Sequence, residues 1–324
     1  MSQFLPNFTA DSIANAAAHL VAGDLVAFPT ETVYGLGADA CNFSAVEKIY
    51  SVKGRPNNHP LIIHIAAKDR ISDWAIEIPD YAIALAQDYW PGPMTLVLKR
   101  SELAGDFVTG GQETVGIRVP NHIVALALLE EFEKVGGKGV AAPSANRFGQ
   151  VSPTTATAVI EELGGYLGVD DLVINGGDCV IGIESTIIDC TRKVPKVLRP
   201  GAITTEMIIR TTGLASTSTV EKSSPRVSGS FESHYSPAAR VVLDQIALAG
   251  QGFIGMSDLV TAAGVLRLAS PETPEEFAQV LYSAFRAGDE LRLETIVVIQ
   301  PIGDGIEIAI RDRLRRAANF RQIT

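Results

Sequence analysis

Cysteine is scarce in this sequence: Cys41, Cys179 and Cys190 are the only three, and no two stand in C-x-x-C spacing. A zinc or iron–sulfur site therefore has no ligand scaffold, and buried free thiols are the plainer expectation. Long apolar runs are missing too. No window approaches the roughly 18 uncharged apolar residues of a membrane helix, and the opening MSQFLPNFTADS lacks a basic stretch followed by an apolar one. A cytosolic protein without membrane contact is expected. Positive charge is in deficit, 27 Lys and Arg against 37 Asp and Glu, for a net charge of −10. The deficit is largest before residue 214, where 16 basic side chains face 24 acidic ones. Bulk attraction to nucleic acid is disfavoured, although a formal sum leaves room for local basic patches.

Several catalytic signatures are absent as well. GGKGVAAP lacks both the glycine spacing and the Lys-Ser/Thr of a phosphate-binding Walker loop, and there is no G-x-S-x-G or H-E-x-x-H. No nucleophile–base pair stands out, so the chain reads as an anion binder without a side-chain nucleophile.

What remains is a composition of 46% apolar residues, 20% charged residues and 29 glycines, that of an ordinary α/β protein. A length of 324 residues is about twice a typical domain, which favours two domains. The first two-thirds alternates strand-like and helical patterns. Strands are expected at 25–28, 61–65, 94–99, 115–119, 139–144, 172–176, 185–190 and 196–199. Helices are expected over 9–23, 43–52, 79–89, 122–135 and 154–163. The first helix has Thr9 or Asp11 as its cap and Gly23 as its stop. From about Thr211 the chain turns rich in Ser, Thr, Gly and Pro without a hydrophobic period, as a linker does. Phe231, His234 and Tyr235 are unusual in a passive spacer, because large aromatic rings gain by burial. Beyond it, strand-like runs at 252–256, 265–269 and 295–300 surround an amphipathic helix at 273–291, and a helix closes the chain at 305–320. Thr273, Pro274 and Glu276 supply the start of the first of these helices. The expected division is 1–212, a linker at 213–238, and a small α/β domain at 239–324 with a parallel sheet.

Candidate chemistry begins at FPTETVYGLGADA, residues 28–40. Gly35, Gly37 and Ala40 match a dinucleotide fingerprint, but six residues separate Gly35 from the strand end and no acidic ribose ligand follows the next strand. A nicotinamide enzyme is excluded on that spacing. In KGRPNNHPLIIHI, Lys53 and Arg55 can hold an anionic group or simply favour a helix C-terminus. His64 faces away from Ile63 and Ile65, as a satisfied core histidine or as a ligand contact. Thr114 and Arg118 lie on one face of an extended run, and an arginine between Ile117 and Val119 needs an anionic partner, internal or bound. Ser144, Asn146 and Ser152 occupy a strand-to-helix connection of the kind that presents hydroxyls and N–H groups to anions, although Ser152 also suits a turn. Ser185 and Arg199 sit at strand ends beside glycines.

Taken in order, FPTETVYGLGADA, KGRPNNHPLIIHI, WPGPMTLVL, APSANRFGQVSPT, GIESTIID and VLRPGAI resemble the YrdC-type L-threonylcarbamoyladenylate synthases over about residues 10–210. The HYSP linker and the small α/β tail are similar to the two-domain form of that family. The resemblance implies a YrdC-like twisted mixed sheet with a large concave site, plus a small C-terminal Rossmann-like α/β domain. It implies a nucleotidyltransferase that joins L-threonine, bicarbonate or CO2, and ATP into threonylcarbamoyl-AMP and pyrophosphate. The carbamoyl group would pass, through a downstream transferase complex, to adenosine 37 of tRNA, with weak contact to tRNA itself. By the same resemblance Thr32, His64, Arg118, Ala142 and Ser185 would line the threonine site. Lys53, Arg55, His59, Thr114, Ser144, Ser152, Arg199 and Tyr235 would meet ATP, with Mg2+ bridging phosphate oxygens. No residue is expected to act as a nucleophile, and Lys53 and Arg55 would stabilise charge. Pro29 to Tyr34 would cross the floor of the cavity, with Gly35 and Gly37 turning the chain away, and Tyr235 would fold over the nucleotide. The alternative reading is a non-catalytic RNA-binding module on the same fold.

Overall fold

A computed structural model describes residues 3–5, 9–216, 224–228 and 235–319. Phe231 and His234, singled out in the linker, lie outside the described residues.

The first sheet is mixed and eleven-stranded. Its strands are β1 (Gln3–Leu5), β2 (Val26–Phe28), β3 (Gly35–Asp39), β4 (Ile62–His64), β5 (Ala75–Ile76), β6 (Met94–Arg100), β7 (Thr114–Arg118), β8 (Val140–Ala141), β9 (Leu172–Ile174), β10 (Thr186–Asp189) and β11 (Lys196–Arg199). They run in the order β1-β9-β2-β3-β8-β4-β7-β6-β10-β11, and β5 pairs with the end of β6. Around them lie α1 (Ala10–Ala22), α2 (Phe43–Lys53), α3 (Ile71–Trp74), α4 (Asp80–Tyr89), α5 (Asp106–Thr109), α6 (Ile123–Lys134), α7 (Ala156–Leu163) and α8 (Thr205–Thr212).

Local chemistry explains the element ends. Thr9 accepts from Ser12 N while the Ser12 hydroxyl accepts from Thr9 N, and Gly23 ends α1 at φ 87°. Ile13, Ala16, Ala17 and Leu20, at 3- and 4-residue spacing, form a stripe in the same apolar cluster as Val124, Leu128 and Phe132 of α6. The larger cluster, with Ile63, Ile65, Leu96, Ile117 and Trp74, covers the other helices. Ile63 and Ile65 belong to that core, so His64 faces the opposite way, as alternation along a strand requires.

A second sheet holds β12 (Arg240–Leu243), β13 (Gly252–Ile254), β14 (Leu266–Ala269) and β15 (Thr295–Val298) in the order β12-β15-β13-β14, every pairing parallel. The helices α9 (Pro274–Glu290) and α10 (Ile306–Ala318) complete it. Thr273 caps α9 and Pro274 opens it, as the sequence pattern predicts. Parallel strands need helical crossovers, and that need explains the alternation of the C-terminal third.

Several elements differ from the sequence expectation, among them the short β1, β5, α3 and α5, which the sequence patterns do not mark. Gly35 and Gly37 do not turn the chain; they lie within β3, antiparallel to β2, and the turn is made entirely by residues 29–34. Glycine carries little strand propensity, so this strand leaves no hydrophobic signal. The reason for glycine is space: a Cβ at Gly37 would sit 2.7 Å from Val140 Cγ1 and 2.8 Å from the Phe28 ring. In addition, α8 and β12 form within stretches where neither was expected.

Candidate active site

The turn between β2 and β3 is held by one hydroxyl. Thr30 Oγ1 accepts from the backbone N–H groups of Thr32 and Val33, each at 3.2 Å, and donates to Val33 O at 2.7 Å. Such a closed set of local bonds makes a short polar loop rigid. It presents Thr32 Oγ1, 2.8 Å from Thr30 Oγ1, toward Arg118 on β7. Arg118 Nη1 donates to Thr32 Oγ1 at 2.9 Å and Nε to Gly92 O at 3.3 Å. Nη2 lies 2.7 Å from Glu31 Oε2 as an ion pair, but its angles make no hydrogen bond, and both Glu31 oxygens stay without hydrogen-bond partners. The anionic partner that a half-buried arginine demands is thus internal, and the guanidinium still reaches a cavity wall.

That cavity has a volume of about 50 Å³ and is lined by Thr30, Thr32, Val33, Tyr34, Gly35, Arg55, Ile62, His64, Arg118, Ala142, Pro143, Ser144, Glu184, Ser185, Arg199, Ser228 and Tyr235. His64 faces Arg118 across the β4–β7 pairing. Burial, reinforced by the neighbouring Arg118 charge, lowers its pKa to about 3, so the imidazole is neutral near pH 7. Its Nδ1 has no hydrogen-bond partner. One end of the cavity therefore combines a fixed cation, a hydroxyl and a neutral ring, a set suited to an amino-acid carboxylate and its neighbouring polar groups.

Two further guanidiniums form the other end. Arg199 Nε donates to Ser185 O at 3.0 Å, Nη2 to Ser185 Oγ at 3.1 Å, and Nη1 to Ser228 O at 3.1 Å. Ser185 Oγ is in turn 2.8 Å from Thr95 Oγ1. Arg55 Nη2 donates to Pro60 O at 3.0 Å and to Ser228 Oγ at 3.1 Å, while its Nε has no partner. Burial lowers the pKa of Arg55 to about 10 and lowers that of Arg199 as well, yet both remain cations at neutral pH. Ser228 thus occupies donors of both arginines, and Val227 beside it packs on Val97, Ile187 and Leu198 of the sheet. This segment explains the small free volume, since ligand cavities usually run to roughly 300–1,000 Å³.

Nine of the thirteen residues named from sequence meet in this one wall: Thr32, His64, Arg118, Ala142 and Ser185, together with Arg55, Ser144, Arg199 and Tyr235. Four lie elsewhere. Thr114 lines an adjoining groove with Ile62, Gly116 and Val227, four residues from Arg118 at the other end of β7. Lys53 is buried behind the wall, its Nζ donating to Ser144 O at 2.5 Å and to Asn146 O, so it ties down the loop that carries Ser144. Burial, then the charge of Arg55, lowers its pKa strongly. Ser152 is fully buried and donates to Glu184 Oε1 at 2.7 Å. His59 lies against the Phe148 ring, 5.5 Å between centroids, with burial and the Arg55 charge lowering its pKa to about 4. The residues that sequence alone did not single out are Thr30, Glu31, Glu184 and Ser228. Glu31 and Glu184 carried a signal, being the acidic residues inside two of the motifs that supply cations and hydroxyls.

Buried cations, a neutral imidazole and hydroxyls converging at a mixed sheet define an α/β protein built to hold anionic ligands. More narrowly, the chain belongs to the Sua5–YciO–YrdC family, whose model, described as telomere recombination, matches residues 18–201. A second model, described as the C-terminal domain of threonylcarbamoyl-AMP synthase, matches residues 203–319. The chain is 38% identical to a threonylcarbamoyl-AMP synthase of Pyrococcus abyssi, over 95% of this chain and 94% of that one. It is also 38% identical to the protein of that name in Bacillus subtilis, over 96% and 94%. Its structure is similar to that of Pyrococcus abyssi Sua5 complexed with L-threonine, with a TM-score of 0.88, 36% identity and coverage of 98% and 97%. Escherichia coli YciO, at 24% identity and a TM-score of 0.52, shares the fold over 61% of this chain and 95% of that one.

Proposed function

We propose that this protein is an L-threonylcarbamoyladenylate synthase, forming threonylcarbamoyl-AMP and pyrophosphate from L-threonine, bicarbonate or CO2, and ATP. The observation that carries the reading is geometric: Arg118 at one end and Arg55 with Arg199 at the other converge on one cavity. A reaction that joins a carboxylate-bearing amine to a phosphate needs that arrangement. On this reading threonine sits against Thr32, His64, Arg118, Ala142 and Ser185, its carboxylate on Arg118. ATP lies along Arg55, Ser144, Arg199 and the Thr114 groove, with Tyr235 above it.

The nucleotidyl transfer then needs no protein nucleophile. The threonine amine adds to CO2 and loses a proton, and a carbamate oxygen attacks the α-phosphorus. The bond to the bridging oxygen breaks and pyrophosphate leaves. The protein's contribution is orientation and stabilisation of charge that grows on phosphate oxygens. Glu184, the carboxylate in the wall, is engaged by Ser152, Tyr282 and Arg313. A Mg2+ ion would accordingly be held by phosphate oxygens and supply charge neutralisation there. Ser228 occupies one guanidinium nitrogen of Arg55 and one of Arg199, so on this reading a phosphate that takes those donors displaces the 224–228 segment from them. The product would serve a transferase complex that modifies tRNA. A non-catalytic RNA-binding module is disfavoured because Arg55, Arg118 and Arg199 are each under 8% exposed, out of reach of a polymer's surface.

Purified protein incubated with ATP, L-threonine and bicarbonate is expected to release pyrophosphate and accumulate threonylcarbamoyl-AMP. Pyrophosphate release that persists when threonine or bicarbonate is omitted would overturn the reading.

A further inference from the structure

Glu184 joins the two sheets at the cavity. It is 5% exposed and follows Gly182 and Ile183, which pack under α9. A Cβ at Gly182, where φ is +80°, would sit 2.4 Å from Gln279 Cα. From the first sheet Ser152 donates to Glu184 Oε1 at 2.7 Å. From the second, the Tyr282 hydroxyl lies 3.1 Å from Oε2 and Arg313 Nε donates to Oε2 at 2.7 Å. Arg313 has no exposed surface, and its Nη2 donates to Pro200 O at 3.0 Å, beside Arg199.

The same guanidinium lies 5.4 Å over the Tyr235 ring, which stacks on Tyr282 with centroids 5.9 Å apart. Tyr235 has φ +63°, a conformation that a bulky L-residue keeps only where its surroundings hold it. Its hydroxyl is hydrogen-bonded to Arg199. Burial alone would raise the Glu184 pKa; the charges of Arg313 and Arg199 and the bond from Ser152 outweigh it and hold the carboxylate below its usual range. A carboxylate this deep is stable only when paired. Its paired cation comes from α10, far along the chain from the residues it affects.

We infer that Arg313 is a positioning residue for the nucleotide half of the site: by holding the Glu184 carboxylate and the Tyr235 ring it fixes Ser152 and Arg199. The C-terminal sheet is then part of the active site without touching the reacting atoms. The inference rests on the synthase reading, which assigns Arg199 and Tyr235 to ATP.

The test uses the full chain in the three-substrate assay, with KM for ATP and for threonine measured separately. Arg313→Met is expected to raise the KM for ATP about tenfold or more, as loss of one partner of a buried charge pair does. The KM for threonine should rise less than the KM for ATP, because Arg118 and Thr32 stand apart from this network and Ser185 links the threonine site to it only through Arg199. Arg313→Lys should recover part of the loss. Adding Glu184→Gln to Arg313→Met should also lower the KM for ATP again, since no unpaired charge then remains. Tyr282→Phe removes one donor and keeps the ring, and should raise the KM for ATP several-fold with little change in thermal midpoint. Equal rises in both KM values, or lower activity that follows only the folded fraction, would reduce Arg313 to a domain-docking residue. If Arg313→Met fails to fold, unchanged KM for ATP in both Tyr282→Phe and Arg313→Lys overturns the inference. A wild-type protein without threonine-dependent pyrophosphate release would remove the synthase reading and this assignment with it, whereas an active wild type with unaffected variants removes only the assignment.

Discussion

His64 shows how a single residue's surroundings set its chemistry. Alternation with Ile63 and Ile65 decided which sheet face it takes, but left open whether it is core or site; it is both, 4% exposed and in the cavity wall. Its folded pKa of about 3 against an ordinary 6.5 has a definite sign. The unfolded chain takes up the proton first, so stability is full above pH 6.5 and falls as pH drops toward 3. His59 and His122 shift in the same direction and add to the slope. Urea midpoints measured from about pH 5 to pH 7 should therefore rise with pH, and His64→Gln should flatten part of that rise. A variant with the wild-type slope would mean that His64 stays hydrated. Arg118 teaches a related lesson. The cost of burying a guanidinium predicts an anionic partner, but only the fold brings Glu31 to it.

At the scale of elements, β3 is the clearest case of structure hidden from sequence. Its glycines imitate a dinucleotide-binding loop, yet Gly37 serves the close approach of Phe28 and Val140. Gly37→Ala should consequently overpack the sheet and cost about 1–3 kcal/mol in urea unfolding. An unchanged midpoint would show that Val140 and Phe28 can yield. By contrast α1 and α9 are legible almost to the residue, because caps and a hydrophobic period act locally. The site motifs follow the same division. Thr32, His64, Arg118 and Ser185 stand at strand ends and turns that local patterns mark, whereas Lys53 reaches its partners Ser144 and Asn146 only through the packing of α2 against the sheet.

At the scale of the molecule, the C-terminal sheet shares a core with the first. Val33, beside Thr32, and Val151, beside Ser152, lie with Ile183 in the same apolar cluster as Phe277, Leu281 and Phe285 of α9. Residues next to the site thus lose packing if the second sheet departs. Calorimetry should record one cooperative unfolding transition, and Ile183→Ala should destabilise it by about 2–5 kcal/mol. Two separate wild-type transitions, with only one moved by the substitution, would show that the cluster does not couple the sheets.

By itself the sequence determined the α/β class and the limits of helices such as α1 and α9, which follow from periodicity, capping and turn chemistry acting over a few residues. The set of polar motifs that meet in the cavity was legible only through the resemblance to a known family. Only the tertiary structure decided that Glu31 faces Arg118, that Ser228 occupies Arg55 and Arg199, and that Arg313 of α10 pairs with Glu184. Those contacts join residues up to 173 positions apart. Charge pairing across such separations depends on where whole elements pack, and no local pattern encodes it.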